Sequence, residues 1–420
     1  MRIAIIDADI VGKKKHRFPN LACMKLSSYH KAHGHNVRLL WNYDNLDRFD
    51  KVFISKVFTA TPIPNEVLEL PNVEYGGTGF FYDKAKPLPP DIEHCKPDYH
   101  LYDEWIKSCL DEARQGWTDC DEAKIADKES AFMAQFQYYT DYSIGFLTRG
   151  CFRQCSFCVN RNYKSCQRHS SVYEFMDESR PKLCFLDDNF FACPQWREII
   201  SEVKKTGKRF QFKQGLDERL LTEEKIHELE SWNYDGDYIF AFDNWDDREV
   251  IESKLRMIYK LYPDWKKGLR FYVFCGFDRR GIYDDVFWLK DIILTFKRCF
   301  VLAKYSALPY IMRYEKAYTS PFSGLYSQLA SWCNQPSFFK KMTFRQFCIN
   351  RGMNTKVYRS YKDDPDKYLS DGYSKGASWR DMESFEKQFP VVGLCFFDSS
   401  GDSVSLYGRG KTQGRDGQCE

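Results

Sequence analysis

Apolar residues come along this chain in short bursts, separated by charged stretches of helical period. Arg2–Asp7 is a β-type run, and residues 36–41 and 51–55 are two more. Between the first two runs, Leu21, Met24, Leu26 and Tyr29 recur at roughly helical spacing, and Gly34 follows where a C′ glycine ends a helix. Strands alternating with helices predict a parallel, doubly wound, Rossmann-like sheet over residues 1–115. Val73, Glu74 and Tyr75 lead as a strand into Gly76, Gly77, Thr78 and Gly79. Such a turn can let a ligand approach the backbone, or it is a tight turn and nothing more. The basic run Lys13, Lys14, Lys15, His16, Arg17 is a solvated loop or a phosphate contact. Residues 101–135 are charged and mixed, with Tyr102, Trp105, Ile106 and Leu110 at helical spacing, and 116–140 read as a connector.

A second alternation fills residues 141–315. Apolar runs at 142–147, 183–186, 209–213, 238–242, 270–275 and 309–313 are separated by helical stretches, one of them opening on Thr222 as N-cap. Six such units predict a partial, open (β/α)6 barrel, whose chemistry gathers at the C-terminal strand ends. The residues there are Asp187, Asp188 and Asn189; then Gln214 through Asp217, Glu218 and Arg219; then Asp243 and Asn244; then Gly276, Phe277 and Asp278; and last Met312, Arg313, Tyr314 and Glu315. Residues 316–398 read as a helical cap carrying Tyr326, Trp332, Phe338, Phe339, Lys340, Lys341, Phe344 and Arg345, and 399–420 as a Gly-rich, polar, disordered tail.

The stretch that this frame presents lies just past the first barrel strand: Cys151, Cys155 and Cys158 at C-x3-C-x2-C spacing. A short loop at a strand end can wrap three thiolates around one side of a metal cluster. Three thiolates leave one iron of a [4Fe–4S] cube open, because full ligation takes four. Cys166 lies too far on to be the fourth. Three other readings stand beside this one: a zinc site with His169 as fourth ligand, a ferredoxin-type cluster, and chance clustering in a chain with 16 cysteines.

Composition narrows the setting. With 62 basic against 59 acidic side chains in 420 residues, charge gives no argument for nucleic acid or for a membrane surface. Aromatic residues make up 17% and apolar residues 43%, ample for a core. No apolar run approaches the ~18 residues of a membrane span, and the first strand lacks the flanks of a secretory segment. The cysteines are scattered, so the expected setting is cytoplasmic, with reduced thiols.

The cysteine loop resembles that of radical S-adenosylmethionine (SAM) enzymes, in which the residue before the third cysteine is often aromatic; here it is Phe157. The resemblance runs from about residue 142 to 312, and the first domain is similar to the cobalamin-binding-like domain that precedes many such barrels. It implies a [4Fe–4S] cluster on Cys151, Cys155 and Cys158, with SAM chelated to the open iron. It also implies reductive cleavage of SAM to a 5′-deoxyadenosyl radical, which takes hydrogen from a substrate the sequence does not identify. The expected partner is a one-electron donor such as flavodoxin or ferredoxin. Where the family carries a GGE-like motif, this chain has Asp187, Asp188 and Asn189, which take the role of contacting the SAM amino group or simply cap the next turn. Gln214 is expected among the SAM contacts, Arg219 near the SAM carboxylate or the substrate, Asp243 and Asn244 near the ribose, and Gly276 near the adenine. Arg219 serves equally as a structural ion pair. Asp98, Tyr99 and His100 form a D-x-H, but Asp103 stands at the glycine position of the cobalamin motif, so cobalamin binding is not expected. The alternative of a different class is a non-catalytic iron–sulfur or electron-transfer protein.

Overall fold

The computed structural model describes residues 1–13, 16–118, 121–342, 344 and 347. The chain divides into two compact units, Met1–Gln214 with Asn233–Asp235, and Gly215–Trp232 with the chain from Gly236 on.

In the first unit, β1 (Arg2–Asp7), β2 (Asn36–Leu40), β3 (Lys51–Ser55) and β4 (Val73–Gly76) form one parallel sheet in the order β2-β1-β3-β4. The central position of β1 means that both its faces must be covered. Ile3 and Ile5 enter one core with Cys23 and Met24, whereas Ala4 and Ile6 enter the core on the other face. Cys23 and Met24 come from the helix Leu21–Ala32, which Asn20 caps through Ala22 N–H and Cys23 N–H; Gly34 follows it at φ +74°. The charged stretch from 101 on is helical over Asp103–Gln115, and the expected connector is helical over Glu122–Met133. Trp105, Ile106, Cys109, Phe136 and Tyr139 from this region join the core of Ile3 and Ile5.

The same unit holds a second parallel sheet, β5 (Tyr142–Gly145), β8 (Lys182–Phe185) and β9 (Arg209–Phe212). Between β5 and β8 lies a two-residue antiparallel pair, β6 (Thr148–Arg149) with β7 (Gln167–Arg168). Asn233–Asp235 runs beside the start of β9, where Phe210 bridges Tyr234. The second unit is built on β10 (Tyr238–Ala241), β11 (Leu269–Cys275) and β12 (Leu308–Arg313), again parallel and in chain order. The helices Arg248–Leu261 and Asp285–Lys304 connect them.

The six strands expected of a partial barrel are therefore present. They stand as two three-stranded parallel sheets, and the described residues show no closed barrel. Of the expected cap, the helices Ser323–Cys333 and Pro336–Phe339 are described, with Tyr326, Trp332 and Phe339 buried. Arg345, Cys348 and the tail from 399 lie outside the described residues, as do Lys14 and Lys15. No helix among the described residues is long and apolar enough to cross a membrane.

The glycine-rich turn after β4 has a packing reason. Gly77 sits at φ +104°, and a Cβ there would lie 2.4 Å from the Lys56 carbonyl oxygen. A Cβ at Gly79 would lie 2.9 Å from it, and the Gly79 N–H donates to that same oxygen at 2.9 Å. The turn folds tightly onto the end of β3.

Candidate functional site

The site starts where β5 stops. A Cβ at Gly145 would meet the Phe175 ring at 2.4 Å, so the strand end packs flush against that ring. The chain then passes through β6, and the β6–β7 ladder sets Thr148 opposite Arg168 and Arg149 opposite Gln167. His169 N–H adds a bond to the Leu147 carbonyl at 2.8 Å. Residues 150–166 are thus an excursion closed at its base. Gly150 opens it at φ +96°, where a Cβ would stand 2.3 Å from the Ser165 carbonyl oxygen, so no other residue fits. Gln154 is left-handed at φ 50°, which turns the chain between the first two cysteines. Cys158 N–H donates to the Cys155 carbonyl at 2.9 Å.

Cys151, Cys155 and Cys158 are partly exposed and unbridged, whereas all the other described cysteines except Cys95 are buried. Amide groups point at two of the three sulfurs. Arg153 N–H donates to Cys151 Sγ at 3.5 Å, Asn160 N–H to Cys158 Sγ at 3.4 Å, and Asn189 Nδ2 to Cys151 Sγ at 3.4 Å. Donors on sulfur favour the thiolate and tune the potential of a cluster bound to it. Among the described residues no group of three or more His, Cys, Asp or Glu stands at metal-holding spacing, the loop thiols included. What fits a cluster is the donor chemistry: three partly exposed thiols on one short loop, those of Cys151 and Cys158 under N–H donors. Cys166 and His169 do not join them. Burial pushes the Cys166 thiol up to about 12. His169 faces Ser170 through Nδ1 and Glu93 through Nε2, at 2.9 and 3.4 Å.

The three residues after β8 serve this loop. Asp187 is wholly buried and accepts from Leu147 N–H (3.1 Å), Thr148 N–H (2.7 Å) and Thr148 Oγ1 (2.6 Å). Burial raises its pKa to about 7 against the pull of those donors. Asp188 accepts from Gly150 N–H at 2.7 Å and from Asn160 Nδ2 at 2.6 Å; burial raises its pKa too. Asn189 precedes a 3-10 turn without capping it, and its side chain reaches Cys151 instead. The turn-cap alternative therefore fails for Asn189: this strand end ties the cysteine loop down. Gln214, at the end of β9, is exposed.

The strand ends of the second unit are occupied differently. Arg219 donates to Asp217 at 2.8 Å and to Asp247 at 3.1 Å, with Glu218 at 3.8 Å. These carboxylates raise its pKa against the effect of burial, so the structural ion pair is realised. Asp243 accepts from Phe274 N–H at 3.2 Å, and burial raises its pKa. Asn244 is exposed. Gly276 is at φ +78°, with Ala317 Cβ 2.7 Å from where its own Cβ would be. Its N–H donates to Asp291 at 2.8 Å.

Two residues that sequence reasoning passed over, Arg298 and Asp291, complete these ends with Glu218. Arg298 donates to the carbonyls of Phe242, Asp243 and Phe274 at 2.6–2.9 Å. A lone arginine inside the apolar stretch of Asp285–Lys304 was its signal. Asp291, on the same helix, also accepts from Tyr326. Glu218 is buried, its carboxyl raised to about 8 by desolvation and then by Asp217.

No protein-family model matches this chain, and neither does any curated protein. Among solved structures it is similar to the cobalamin-dependent S-adenosylmethionine radical enzyme OxsB. With aqua-cobalamin and S-adenosylmethionine bound, that enzyme matches at 13% identity and TM-score 0.41, over 78% of this chain and 55% of its own. With aqua-cobalamin alone, it matches at 13% identity and TM-score 0.32, over 74% of this chain and 49% of its own. The chain thus spans about half the length of these structural neighbours, which are cobalamin-dependent radical SAM enzymes, and no residue's role here follows from them.

Proposed function

We propose that this chain is a radical SAM enzyme whose cluster is held by Cys151, Cys155 and Cys158. One observation carries the reading: among the described cysteines, these three share partial exposure and one short loop, with N–H donors aimed at the sulfurs of Cys151 and Cys158. When bound there, a [4Fe–4S] cluster and SAM would supply one-electron reductive cleavage of SAM to methionine and a 5′-deoxyadenosyl radical. The chain's own residues fix where this happens. Asp187 holds the strand end at Leu147 and Thr148, and Asp188 joins Gly150 to Asn160 across the loop. Asn189 donates through Nδ2 to Cys151 Sγ and so helps fix the first cysteine in place. Phe157, Asp187, Asp188, Asn189, the exposed Gln214, Asp243 and Arg219 remain the proposed SAM contacts. Asp243 and Arg219 each have protein partners already. A one-electron donor such as flavodoxin or ferredoxin would reduce the cluster, and the substrate is an unidentified molecule with an unactivated C–H bond. The test is anaerobic reconstitution with ferrous iron and sulfide, then dithionite and SAM. Release of 5′-deoxyadenosine supports the reading, and a cluster that leaves SAM intact sinks it.

A further inference from the structure

The cysteine loop is held from a second side, by the first sheet. Past the turn at Gly77 and Gly79, Tyr75, Phe80 and Phe81 pack together, with Tyr75–Phe80 centroids 4.8 Å apart. Lys56 Nζ lies 4.6 Å from the Phe80 ring centre. This block carries Tyr82, which sits at φ 47°, ψ −114°, a region that non-glycine residues rarely occupy. The Tyr82 hydroxyl donates to the Phe157 carbonyl. Asp83 accepts from Arg161 Nε at 2.7 Å and from Asn162 Nδ2 at 3.2 Å, and its backbone carbonyl accepts from Asn162 at 3.0 Å. Arg161 in turn donates to the Ser156 carbonyl at 3.1 Å. The Phe157–Cys158 peptide is thereby fixed at both ends, its oxygen by Tyr82 and its N–H by the Cys155 carbonyl.

We propose that Tyr82 and Asp83 are positioning residues through which the first sheet domain sets the third cysteine. Tyr82 turns the peptide that carries Cys158, and Asp83 clamps the loop exit through Arg161 and Asn162. The first domain thereby gains a role that needs no ligand of its own, and for its purpose the proposal rests on the iron–sulfur reading above. The unusual backbone of Tyr82 serves this role, because it lets one short turn present a hydroxyl and a carboxylate to the same loop.

Hydrogen–deuterium exchange on the metal-free protein tests the strap without any cofactor. In Tyr82→Phe with Asp83→Ala, amides 156–163 should exchange at least tenfold faster, while those of β1 and β3 stay at parent rates. Unchanged exchange at 156–163 overturns the proposal. If the double variant does not fold, Tyr82→Phe alone is read, since it removes a single oxygen. On protein reconstituted with ferrous iron and sulfide, Tyr82→Phe should keep its iron but shift the electron paramagnetic resonance spectrum of the reduced cluster. Asp83→Ala should lose iron to a chelator about tenfold faster, and Asp83→Glu should restore retention. An identical spectrum and identical iron loss also overturn the proposal. A parent protein that takes up no iron overturns the iron–sulfur reading instead, and the exchange result then stands for the strap alone.

Discussion

The two three-stranded sheets share an architecture and end in opposite ways. At the C-terminal ends of β5 and β8, acidic and amide side chains are spent on a loop that presents three partly exposed sulfurs. At the ends of β10 and β11, the protein closes on itself. Arg298, only 2% exposed, takes up three strand-end carbonyls, and Asp291 bonds Gly276 and Tyr326. The difference teaches that a polar residue at a parallel strand end is not by its position a ligand contact. What distinguishes a site is whether donors and acceptors are left facing something other than the chain.

The sharpest way to break this comparison is at the sulfurs. Replacing Cys151, Cys155 or Cys158 by Ala should take the reconstituted protein from about four irons to none, since too few thiolates then remain. Iron analysis and the visible absorbance of the cluster check this, and Cys299→Ala in the closed unit should leave both unchanged. Next in size is the plug itself. Arg298→Met strands buried carbonyls and removes the charge beside Asp243 and Asp291, at a cost of roughly 3–5 kcal/mol of stability. Urea unfolding of the parent and the variant measures it.

At the loop end, Asp188→Ala cuts the ties to Gly150 and Asn160. One charge-assisted bond is worth about 1.5–3 kcal/mol, so iron retention against a chelator should fall roughly tenfold to a hundredfold. The smallest effect is one of pH. Glu218 has its pKa raised from 4.5 to about 8 by burial. The folded chain therefore keeps a proton between about pH 4.5 and 8 that the unfolded chain releases, and raising pH through that window favours unfolding. Glu218→Gln should flatten this decline, seen as a smaller drop in thermal midpoint from pH 5.5 to 7.5.

Much of this arrangement could be read from the sequence, where it depends on neighbours along the chain. The apolar alternation behind the parallel strands, the Thr222 start and the Gly34 end of helices, and the cysteine triplet are all local patterns. What could not be read depends on distant partners. Asp188 and Asp243 look alike as acids after apolar runs. One is committed to Gly150, 38 residues earlier, and the other sits at a strand end that Arg298 closes from 55 residues later. Tyr82 meets Phe157 across 75 residues, and nothing in the spacing of either announces it. The glycine-rich turn was ambiguous for the same reason, because its close neighbour is Lys56, just past another strand.

The ladder between β6 and β7 bears on the order of assembly. Bringing the two ends of a loop together costs entropy that grows with its length, and here two backbone residue pairs, Thr148 with Arg168 and Arg149 with Gln167, offset that cost. If the loop takes up iron as proposed, the metal would not have to nucleate the fold, as it must in small domains that are unfolded without metal, because the ends of the loop are fastened by backbone pairing.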